Sequence, residues 1–527
     1  MKQYLRPGVA FIVLVLLILT SRIYYSPTSS TAQVAKSKAQ IATAAPANES
    51  REFARHIDSL IDQGPFASAR WGIKVVSIAN GSTIYERNAR ERFIPASNMK
   101  MYTTAAALDL LGGDYRWRTS VYVLARPDAE GTVHGDLILY GRGAPDLVDR
   151  ANENSLEKLA DAVRASGVKR VKGSVIADES YFRGNAVGDG WQWNDMQWYF
   201  GAEASALTVN GNEIDLNLLP PPKADATPEI RTSDTTGYVD VDNQMAPGHR
   251  AERSTLGVFR GLSNNHIEVW GELAPGAKGF GARLSVHNPA LWASQIFLAA
   301  LKSRDVTVDG PVSSRTSRSA PKDRFDPSKG IEIGSISSAP LSQIVRMTNK
   351  ESNNLFAELI LRTLGRERRA MLPPQEPSGR EKGDDEAGTE LIKLWLTRQG
   401  VSTDETALHD GSGLSRLNLV TPASSTQLLT ASSSNQAFRD SLPVAGKDGT
   451  LAGRLRPLAG RVLAKTGSLI YVNSLSGYLV TANGETLAFA IYCNDYVGRG
   501  NSARLIDQIV VALADFPNPP SQNLVKR

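Results

Sequence analysis

The spacing of apolar residues at the start of the folded part of the chain predicts a helix, a β-hairpin and a second helix. Apolar residues recur at helical intervals from Ser50 onward, in the letters SREFARHIDSLIDQ. Apolar and polar positions then alternate from Trp71 to Ile78, the letters ANGS mark a turn, and the segment from Ser82 to Glu86 returns as a second strand. A second helix follows in the letters IPASNMKMYTTAAAL and ends at the glycine pair 112–113.

The pattern changes from Tyr115 to Val286, where short β-like segments predominate. These segments read RTSVYVLARP, EGTVHGDLILYG, VKGSVIAD, GNEIDLNLLP and NNHIEVWGEL, and Gly, Pro, Asn and Asp separate them. One helical segment, from Ser155 to Ser166, interrupts the series. This texture predicts a β-rich module inserted into a parent domain.

Helical spacing returns in NPALWASQIFLAALKSRDV and again in two amphipathic helices with a polar break from Asn349 to Asn354. The charged, Pro- and Gly-rich stretch from Arg366 to Gly388 predicts a mobile loop, and a helix is expected from Thr389 to Gln399. Near the C-terminus the letters RVLAKTGSL, NSLSGYLVTA and TLAFAIYCN predict three strands, the last two joined by a turn at Asn483 and Gly484, before a final helix.

These elements predict an α+β fold, an antiparallel sheet that takes strands from both ends of the chain and is flanked by helices. At 527 residues the chain is too long for one compact core. Three parts are therefore expected: a leader at 1–48, a discontinuous parent domain at 49–114 and 287–520, and a β-rich inserted region at 115–286.

The N-terminus predicts export. Lys2 and Arg6 precede an apolar run from Gly8 to Leu19, which has the length of a signal-peptide core and is short for a membrane-spanning helix. A cleaved signal peptide and an uncleaved N-terminal anchor, which would tether the protein to a membrane, both remain open. A flexible Ser-, Thr-, Ala- and Gln-rich leader follows from Ser26 to Asn48.

Composition excludes several classes of function. The net charge of +5 is a mild excess on a large surface, and no basic cluster interleaved with aromatic residues predicts nucleic-acid binding. The single cysteine, Cys493, rules out a disulfide within the chain and is expected to be a buried strand residue. The six histidines form no H-E-x-x-H pattern, so a zinc peptidase is not indicated, and His409 is interpreted as structural. The chain also contains no G-x-S-x-G, which argues against an α/β-hydrolase.

Ser97 and Lys100 form the first candidate site. Residues three apart on a helix share a face, so the lysine amine can approach the serine hydroxyl. A lysine can accept that proton only when burial or a neighbouring cation lowers its pKa, and the surrounding Met, Ala and Leu residues favour such burial. Taken alone, this pattern also fits a serine that caps an ordinary helix.

Two further motifs follow. Ser352, Asn353 and Asn354 stand at the break between two helices, where they could equally cap the second helix. The segment from Lys465 to Ser468, Lys-Thr-Gly-Ser, lies on a predicted strand, where Gly467 would allow a ligand or another chain to approach closely. The alternative for Lys465 is an edge-strand lysine that discourages aggregation. Together, Ser-x-x-Lys, Ser-x-Asn and Lys-Thr-Gly in this order indicate a serine acyl-enzyme active site.

The chain resembles the class C low-molecular-mass penicillin-binding proteins, which are D-Ala-D-Ala carboxypeptidases and endopeptidases. The resemblance extends from about Ser50 to the last helix, and its most specific feature is the gap of 255 positions between Ser97 and Ser352. Other similar stretches are DYRWRT, WNDMQWYFGAEASALTVNGNEIDL, NKESNNLFAE and DGSGLSRLN. The chain departs from the family at Ala144, where an Asp tends to precede the Pro. The resemblance implies a penicillin-binding, serine β-lactamase-like catalytic domain with a large insertion.

The resemblance also implies a role for each residue. Ser97 would attack the carbonyl carbon between the last two D-alanines, Lys100 would act as the base, and Ser352 would relay a proton to the leaving amine. Asn354 would hold the substrate amide, and Arg416 would contact the substrate. Lys465, Thr466, Gly467 and Ser468 would bind the terminal carboxylate, and the backbone N–H groups of Ser97 and Ser468 would form the oxyanion hole. No metal or cofactor is required.

The sequence therefore predicts an exported, periplasmic or envelope-bound serine-type D-Ala-D-Ala carboxypeptidase or endopeptidase. Its expected ligands are peptidoglycan stem peptides, with β-lactams as inhibitors through the same acyl-enzyme chemistry. Two alternatives remain open: a β-lactamase or esterase on the same scaffold, and an envelope-binding protein with a silent site. The sequence does not indicate an oligomeric state.

Overall fold

The computed structural model describes residues 47–148, 155–248, 255–320, 323–374, 380–497 and 500–516, with the backbone alone for 47–50. The predicted signal segment or anchor, and all but the last two residues of the predicted leader, lie outside the described residues. Within the described ranges, no helix combines the length and the apolar character that crossing a bilayer requires.

Ten α-helices lie in the described part of the chain. In chain order they are α1 (Ala47–Asp62), α2 (Met99–Leu110), α3 (Ser155–Ala165), α4 (Pro289–Lys302), α5 (Leu341–Lys350), α6 (Asn354–Arg368), α7 (Asp384–Arg398), α8 (Pro422–Ala431), α9 (Gln436–Ser441) and α10 (Ser502–Ala514).

The strands of the described ranges form six sheets. In chain order they are β1 (Arg70–Ser77), β2 (Thr83–Arg87), β3 (Arg118–Val123), β4 (Thr132–Val133), β5 (Leu137–Tyr140), β6 (Ala144–Val148), β7 (Arg170–Val171), β8 (Val175–Asp178), β9 (Leu207–Val209), β10 (Glu213–Leu219), β11 (Glu229–Thr232), β12 (Asp240–Pro247), β13 (Gly257–Arg260), β14 (His266–Leu273), β15 (Phe280–Ser285), β16 (Thr307–Val308), β17 (Val312–Arg315), β18 (Ile331–Ser337), β19 (Val462–Leu469), β20 (Val472–Val480) and β21 (Thr486–Asn494).

The first five-stranded sheet joins both ends of the chain, in the order β19-β20-β21-β1-β2, with every neighbouring pair antiparallel. Helices cover both of its faces. Tyr492 hydrogen-bonds to Ser425 of α8, whereas Asn473, the cross-strand neighbour of Cys493, hydrogen-bonds to Ser502 of α10. Adjacent residues of a strand point to opposite faces, so α8 and α10 lie on opposite sides. This sheet and its helices confirm the predicted α+β fold.

Burial on both faces explains why β1 does not follow the expected alternation. Six of its eight residues are buried, on both sides of the sheet. The predicted helix before it is present as α1, whose stripe is buried at Phe53, Ile57 and Ile61. Cys493 is fully buried in β21, as predicted.

The second five-stranded sheet is mixed, in the order β17-β8-β5-β3-β18. Strands β3, β5 and β8 belong to the predicted inserted region, whereas β17 and β18 follow α4 and lie beyond its predicted end at residue 286. Strand β16 likewise pairs with β7. The division into domains stays a prediction, and this pairing favours an inserted region that continues to Ser337.

One predicted boundary is wrong. The helix expected at Thr389 begins five residues earlier, at Asp384, and α6 continues to Arg368, so the loop expected from 366 to 388 is shorter. The Glu386 carboxylate accepts the Gly383 N–H at 2.9 Å, and acidic residues occupy the first turn of α7, where they favour a helix N-terminus. Residues 375–379 lie outside the described ranges.

Candidate active site

Ser97 lies in a single 3-10 turn, Ala96–Asn98, that leads directly into α2. The Asn98 side chain donates to Ser474 Oγ on β20, and this hydroxyl donates to the carbonyl of Pro95 at 2.7 Å. These bonds attach the turn, here called the nucleophile turn, to the sheet. Asn98, rather than Ser97, stands at the start of α2, and the Ser97 side chain caps no helix. The alternative of an ordinary capping serine is therefore not supported.

Lys100 is fully buried, and its amine contacts three oxygen atoms. Nζ lies 3.0 Å from Ser97 Oγ, 2.6 Å from Asn354 Oδ1 and 2.6 Å from the backbone oxygen of Ser412. Burial lowers the pKa of Lys100 to about 7, although the carboxylates of Asp410 and Glu358 oppose the shift. A substantial fraction of this amine is therefore unprotonated near neutral pH.

In the second motif, residues 352–354, one residue caps a helix and the other two contact the buried lysines. Asn353 caps α6, because its side chain accepts the N–H of Phe356 at 3.0 Å. Ser352 has a left-handed backbone with φ of +60°, and its hydroxyl lies 2.9 Å from Lys465 Nζ. Asn354 donates through Nδ2 to the carbonyl of Phe200 at 2.8 Å, which orients the amide so that Oδ1 faces Lys100.

Lys465 lies on β19 and is fully buried, so it is not a solvated edge-strand lysine. Its amine donates to Ser352 Oγ and to the carbonyl of Thr466, each at 2.9 Å. Burial lowers the pKa of Lys465 well below its usual value, and the charge of Lys100 lowers it further. The two amines therefore disfavour each other's protonation within one site.

Strand β19 is an edge strand that lies beside the nucleophile turn. A β-carbon on Gly467 would lie 2.8 Å from the carbonyl oxygen of Pro95, so the close approach expected here is made by the protein's own backbone. The N–H of Ala464 points away from β20, to the carbonyl of Pro443. N–H directions alternate along a strand, so the N–H of Ser468 also points to the outer edge.

The three motifs meet at a cleft of about 540 Å³. Of the predicted site residues, Ser97, Ser352, Asn354, Ser468 and Arg416 line the cleft, and Lys100 and Lys465 are buried behind it. Arg416 donates to the carbonyl of Ile470 at 2.8 Å. His409 does not line the cleft and instead contacts Asp189 at 2.7 Å.

Several cleft residues were not predicted from the sequence. Thr450 Oγ1 accepts the Thr466 hydroxyl at 2.7 Å, and Asp195 faces Arg416 across the cleft. Burial raises the pKa of Asp195, and the charge of Arg416 opposes that shift. The stretch WNDMQWYF was the available signal for Asp195, but nothing in the sequence marked Thr450. The described residues contain no group of three or more His, Cys, Asp or Glu suited to a metal ion.

Three features define the class that includes penicillin-binding proteins and serine β-lactamases: a serine in the turn that leads into a helix, a buried lysine in the first turn of that helix, and an adjacent antiparallel sheet whose edge strand bears Lys-Thr-Gly. The chain belongs to the D-Ala-D-Ala carboxypeptidase 3 (S13) family, whose model matches residues 53–516.

Two curated relatives and one solved structure agree with this assignment. The chain is 36% identical to the D-alanyl-D-alanine carboxypeptidase of Actinomadura sp. (strain R39), over 88% of this chain and 85% of that protein. It is 28% identical to D-alanyl-D-alanine carboxypeptidase DacB of Haemophilus influenzae, over 81% and 85%. The crystal structure of penicillin binding protein 4 (dacB) from Haemophilus influenzae superimposes with a TM-score of 0.73 at 26% identity, covering 87% of this chain and 99% of that one.

Family membership confirms the resemblance, the fold class and the prediction of a serine peptidase of the D-Ala-D-Ala carboxypeptidase type. Because this family acts on cell-wall peptidoglycan, the coarser prediction of an envelope protein is also supported. The role of each site residue stays a prediction, and the contacts described above indicate which atoms would take part.

Proposed function

We propose that this protein is a serine-type D-Ala-D-Ala carboxypeptidase or endopeptidase that hydrolyses peptidoglycan stem peptides through an acyl-enzyme. The observation that carries the proposal is the position of Lys100 Nζ, which contacts Ser97 Oγ and two further oxygen atoms inside a buried site. The family assignment supports the substrate class, and the contact between Lys100 and Ser97 supports activation of the serine as a nucleophile.

In the acylation step, the hydrogen bonds made by a neutral Lys100 determine where the lone pair of its amine points. Its amine has two hydrogens and one lone pair. Asn354 Oδ1 and the Ser412 carbonyl oxygen can only accept, so each takes one hydrogen. The lone pair is left for the hydroxyl hydrogen of Ser97, 3.0 Å away between the heavy atoms. Ser97 Oγ then attacks the carbonyl carbon between the last two D-alanines while its proton moves to Lys100.

The oxyanion that forms in this step is assigned to the backbone N–H groups of Ser97 and Ser468. Ser97 lies in a helical turn, and Ser468 directs its N–H to the outer edge of β19, a strand that packs beside that turn. One such donor typically contributes about 3 kcal/mol to transition-state stabilisation.

The remaining roles concern the leaving group and the substrate. Ser352 lines the cleft and accepts from Lys465, so as the C–N bond breaks it can give its hydroxyl proton to the departing amine and take one from Lys465. Lys465, Thr466, Gly467 and Ser468 are assigned to the terminal carboxylate. The second hydrogen of Asn354 Nδ2 is assigned to the substrate backbone, because the first is bonded to Phe200. Arg416, on the cleft wall, is assigned to the substrate beyond the scissile bond.

Water, or an acceptor amine, then releases the acyl group and regenerates Ser97. A β-lactam opens by the same attack on its ring carbonyl and leaves a long-lived acyl-enzyme. Periplasmic location and a tether through the N-terminal apolar segment are proposals that rest on the sequence alone. The choice between carboxypeptidase and endopeptidase action is decided by the products released from purified sacculi.

The experiment is covalent labelling with a fluorescent penicillin, followed by mass spectrometry of the labelled peptide. Wild type is expected to carry the penicilloyl group on Ser97, Ser97→Ala to carry none, and the matched control Ser434→Ala, at an exposed serine, to label normally. Rapid release of penicilloate would instead indicate a β-lactamase. An unlabelled wild-type protein would indicate a silent binding protein.

A further inference from the structure

Glu358 is a fully buried carboxyl group one helical turn after Asn354 on α6. Its Oε1 atom accepts two backbone hydrogen bonds, from the N–H of Gly411 at 2.8 Å and from the N–H of Ser412 at 3.0 Å. Burial of this group is costly unless its hydrogen bonds compensate, so these two contacts restrain the turn at residues 411–413 firmly.

The turn at residues 411–413 lies between α6 and the nucleophile turn. A β-carbon on Gly411 would lie 2.7 Å from the carbonyl oxygen of Ala357, and one on Gly413 would lie 1.8 Å from that of Ala96. The glycines therefore allow backbone to pack against backbone on both sides. The carbonyl oxygen of Ser412 is one of the two acceptors that orient the amine of Lys100.

Helix α6 thus controls both acceptors of Lys100. Asn354 accepts from the amine directly, and Glu358, four residues later on the same face, acts through the Ser412 peptide. Burial and the charge of Asp410 raise the pKa of Glu358 to about 8, although Arg362 opposes the shift. Near pH 7 the carboxyl group is therefore mostly neutral, so the carboxylate charge that raises the pKa of Lys100 is present in a minority of molecules. The two backbone hydrogen bonds to Oε1 can be made in either protonation state.

We propose that Glu358 is a positioning residue for acylation, because it holds the Ser412 carbonyl where it directs the lone pair of Lys100 to Ser97. This inference rests on the proposed function. Without Glu358 the 411–412 peptide loses two hydrogen bonds, the Ser412 carbonyl is free to shift, and the amine loses its fixed orientation. Glu358 is fully buried and does not line the cleft, so substrate binding should be unaffected.

The test compares Glu358→Leu, which removes the acceptor, with Glu358→Gln, which keeps the Oε1 acceptor and resembles the neutral acid. Thr363→Val is the matched control. It also removes a buried polar group of α6, which accepts from Trp117 Nε1 at 2.8 Å, but it leaves the 411–412 peptide untouched. Stopped-flow acylation by a fluorescent penicillin separates the dissociation constant of the first complex from the acylation rate constant, and thermal melts report folding.

We expect Glu358→Leu to lower the acylation rate constant about 10- to 100-fold, with the dissociation constant changed less than about threefold. Glu358→Gln should restore the rate constant to within about threefold of wild type. Equal rate constants for Glu358→Leu and Thr363→Val, or a change confined to the dissociation constant, would overturn the inference. If Glu358→Leu fails to fold, a Glu358→Gln variant that folds but acylates more than about threefold slower than wild type overturns it. Failure of wild type to acylate would refute the proposed function itself.

Discussion

Gly413 and Ala96 approach so closely that a β-carbon on the glycine would lie 1.8 Å from the carbonyl oxygen of the alanine. On the other side of the same turn, a β-carbon on Gly467 would lie 2.8 Å from the carbonyl oxygen of Pro95. The nucleophile turn is therefore held between two glycine-bearing segments distant in sequence. The position of Ser97 is consequently a property of the tertiary structure and not of α2 alone.

The first prediction concerns Gly413→Ala. The new methyl group has no room beside Ala96 and must displace the nucleophile turn, so penicillin acylation should fall at least about tenfold. Gly400→Ala is the matched control, because Gly400 also has a positive φ, +73° against +84°, but a β-carbon added there would meet no atom within 4 Å. Both variants should lose some thermal stability through backbone strain. Equal acylation rates in the two variants would contradict the close-packing argument.

The second prediction concerns Asn354→Asp and the pH dependence of acylation. Lys100, the proposed base, can accept a proton only when neutral, so the rate should rise with pH through its pKa of about 7. A carboxylate in place of Asn354 Oδ1, 2.6 Å from Nζ, favours the ammonium form and raises this pKa. The acidic limb of the pH–rate profile should therefore move to higher pH.

The control for that shift is Asn353→Asp, which adds the same charge at the neighbouring residue. Aspartate remains a good helix cap, so the cap of α6 is kept. The new carboxylate does not replace an acceptor of Lys100, so the acidic limb of the pH–rate profile should move less in Asn353→Asp than in Asn354→Asp. Equal displacement in both variants would show that general charge, rather than the Lys100 contact, sets the profile.

The residues of the candidate site could be proposed from the sequence because each motif keeps its residues within three or four positions. Ser97 and Lys100 are three residues apart where a 3-10 turn enters α2, and Lys465 to Ser468 share a strand, so the members of each motif are neighbours along the chain. Glu358 could not be identified in this way. It acts through Ser412, 54 positions away, and a glutamate in a helix is too common to indicate a functional site.

In the fold, too, some elements are marked by local sequence patterns and others are defined only by their tertiary contacts. The hairpin of β1 and β2 and the meander of β19 to β21 follow from short, mainly apolar runs separated by turn residues. Strands β16 and β17 are two and four residues long, too short for a pattern to mark them. They are recognisable only through their pairing with β7 and β8, and the predicted end of the inserted region at 286 depends on them.

The third prediction concerns Thr466→Val. The Thr466 hydroxyl donates its one hydrogen to Thr450 Oγ1 at 2.7 Å, and on substrate binding this hydrogen would turn to a terminal carboxylate held beside Lys465. Loss of one hydrogen bond to a charged group should lower kcat/KM for a D-Ala-D-Ala peptide about tenfold or more, mainly through KM. Thr466→Ser keeps the hydroxyl and should remain within about threefold of wild type. A fall in kcat with KM unchanged would remove Thr466 from carboxylate binding.

The last prediction is that Lys100→Met abolishes acylation but stabilises the fold in a pH-dependent way. Folding lowers the pKa of Lys100 from its usual value of 10.5 to about 7. Below pH 7 both states hold the proton, so the native state carries a buried charge and wild type bears the full cost. Between about pH 7 and 10.5 the unfolded chain holds the proton and the native chain releases it, so wild-type stability rises with pH, by at most about 1.4 kcal/mol per pH unit from this group.

The advantage of Lys100→Met in urea-unfolding midpoints should therefore be largest at pH 6 and smaller at pH 9. Lys447→Met, at an exposed lysine, serves as the control. An advantage of Lys100→Met that does not change with pH would mean that better packing of the methionine, rather than removal of a buried amine, stabilises the variant.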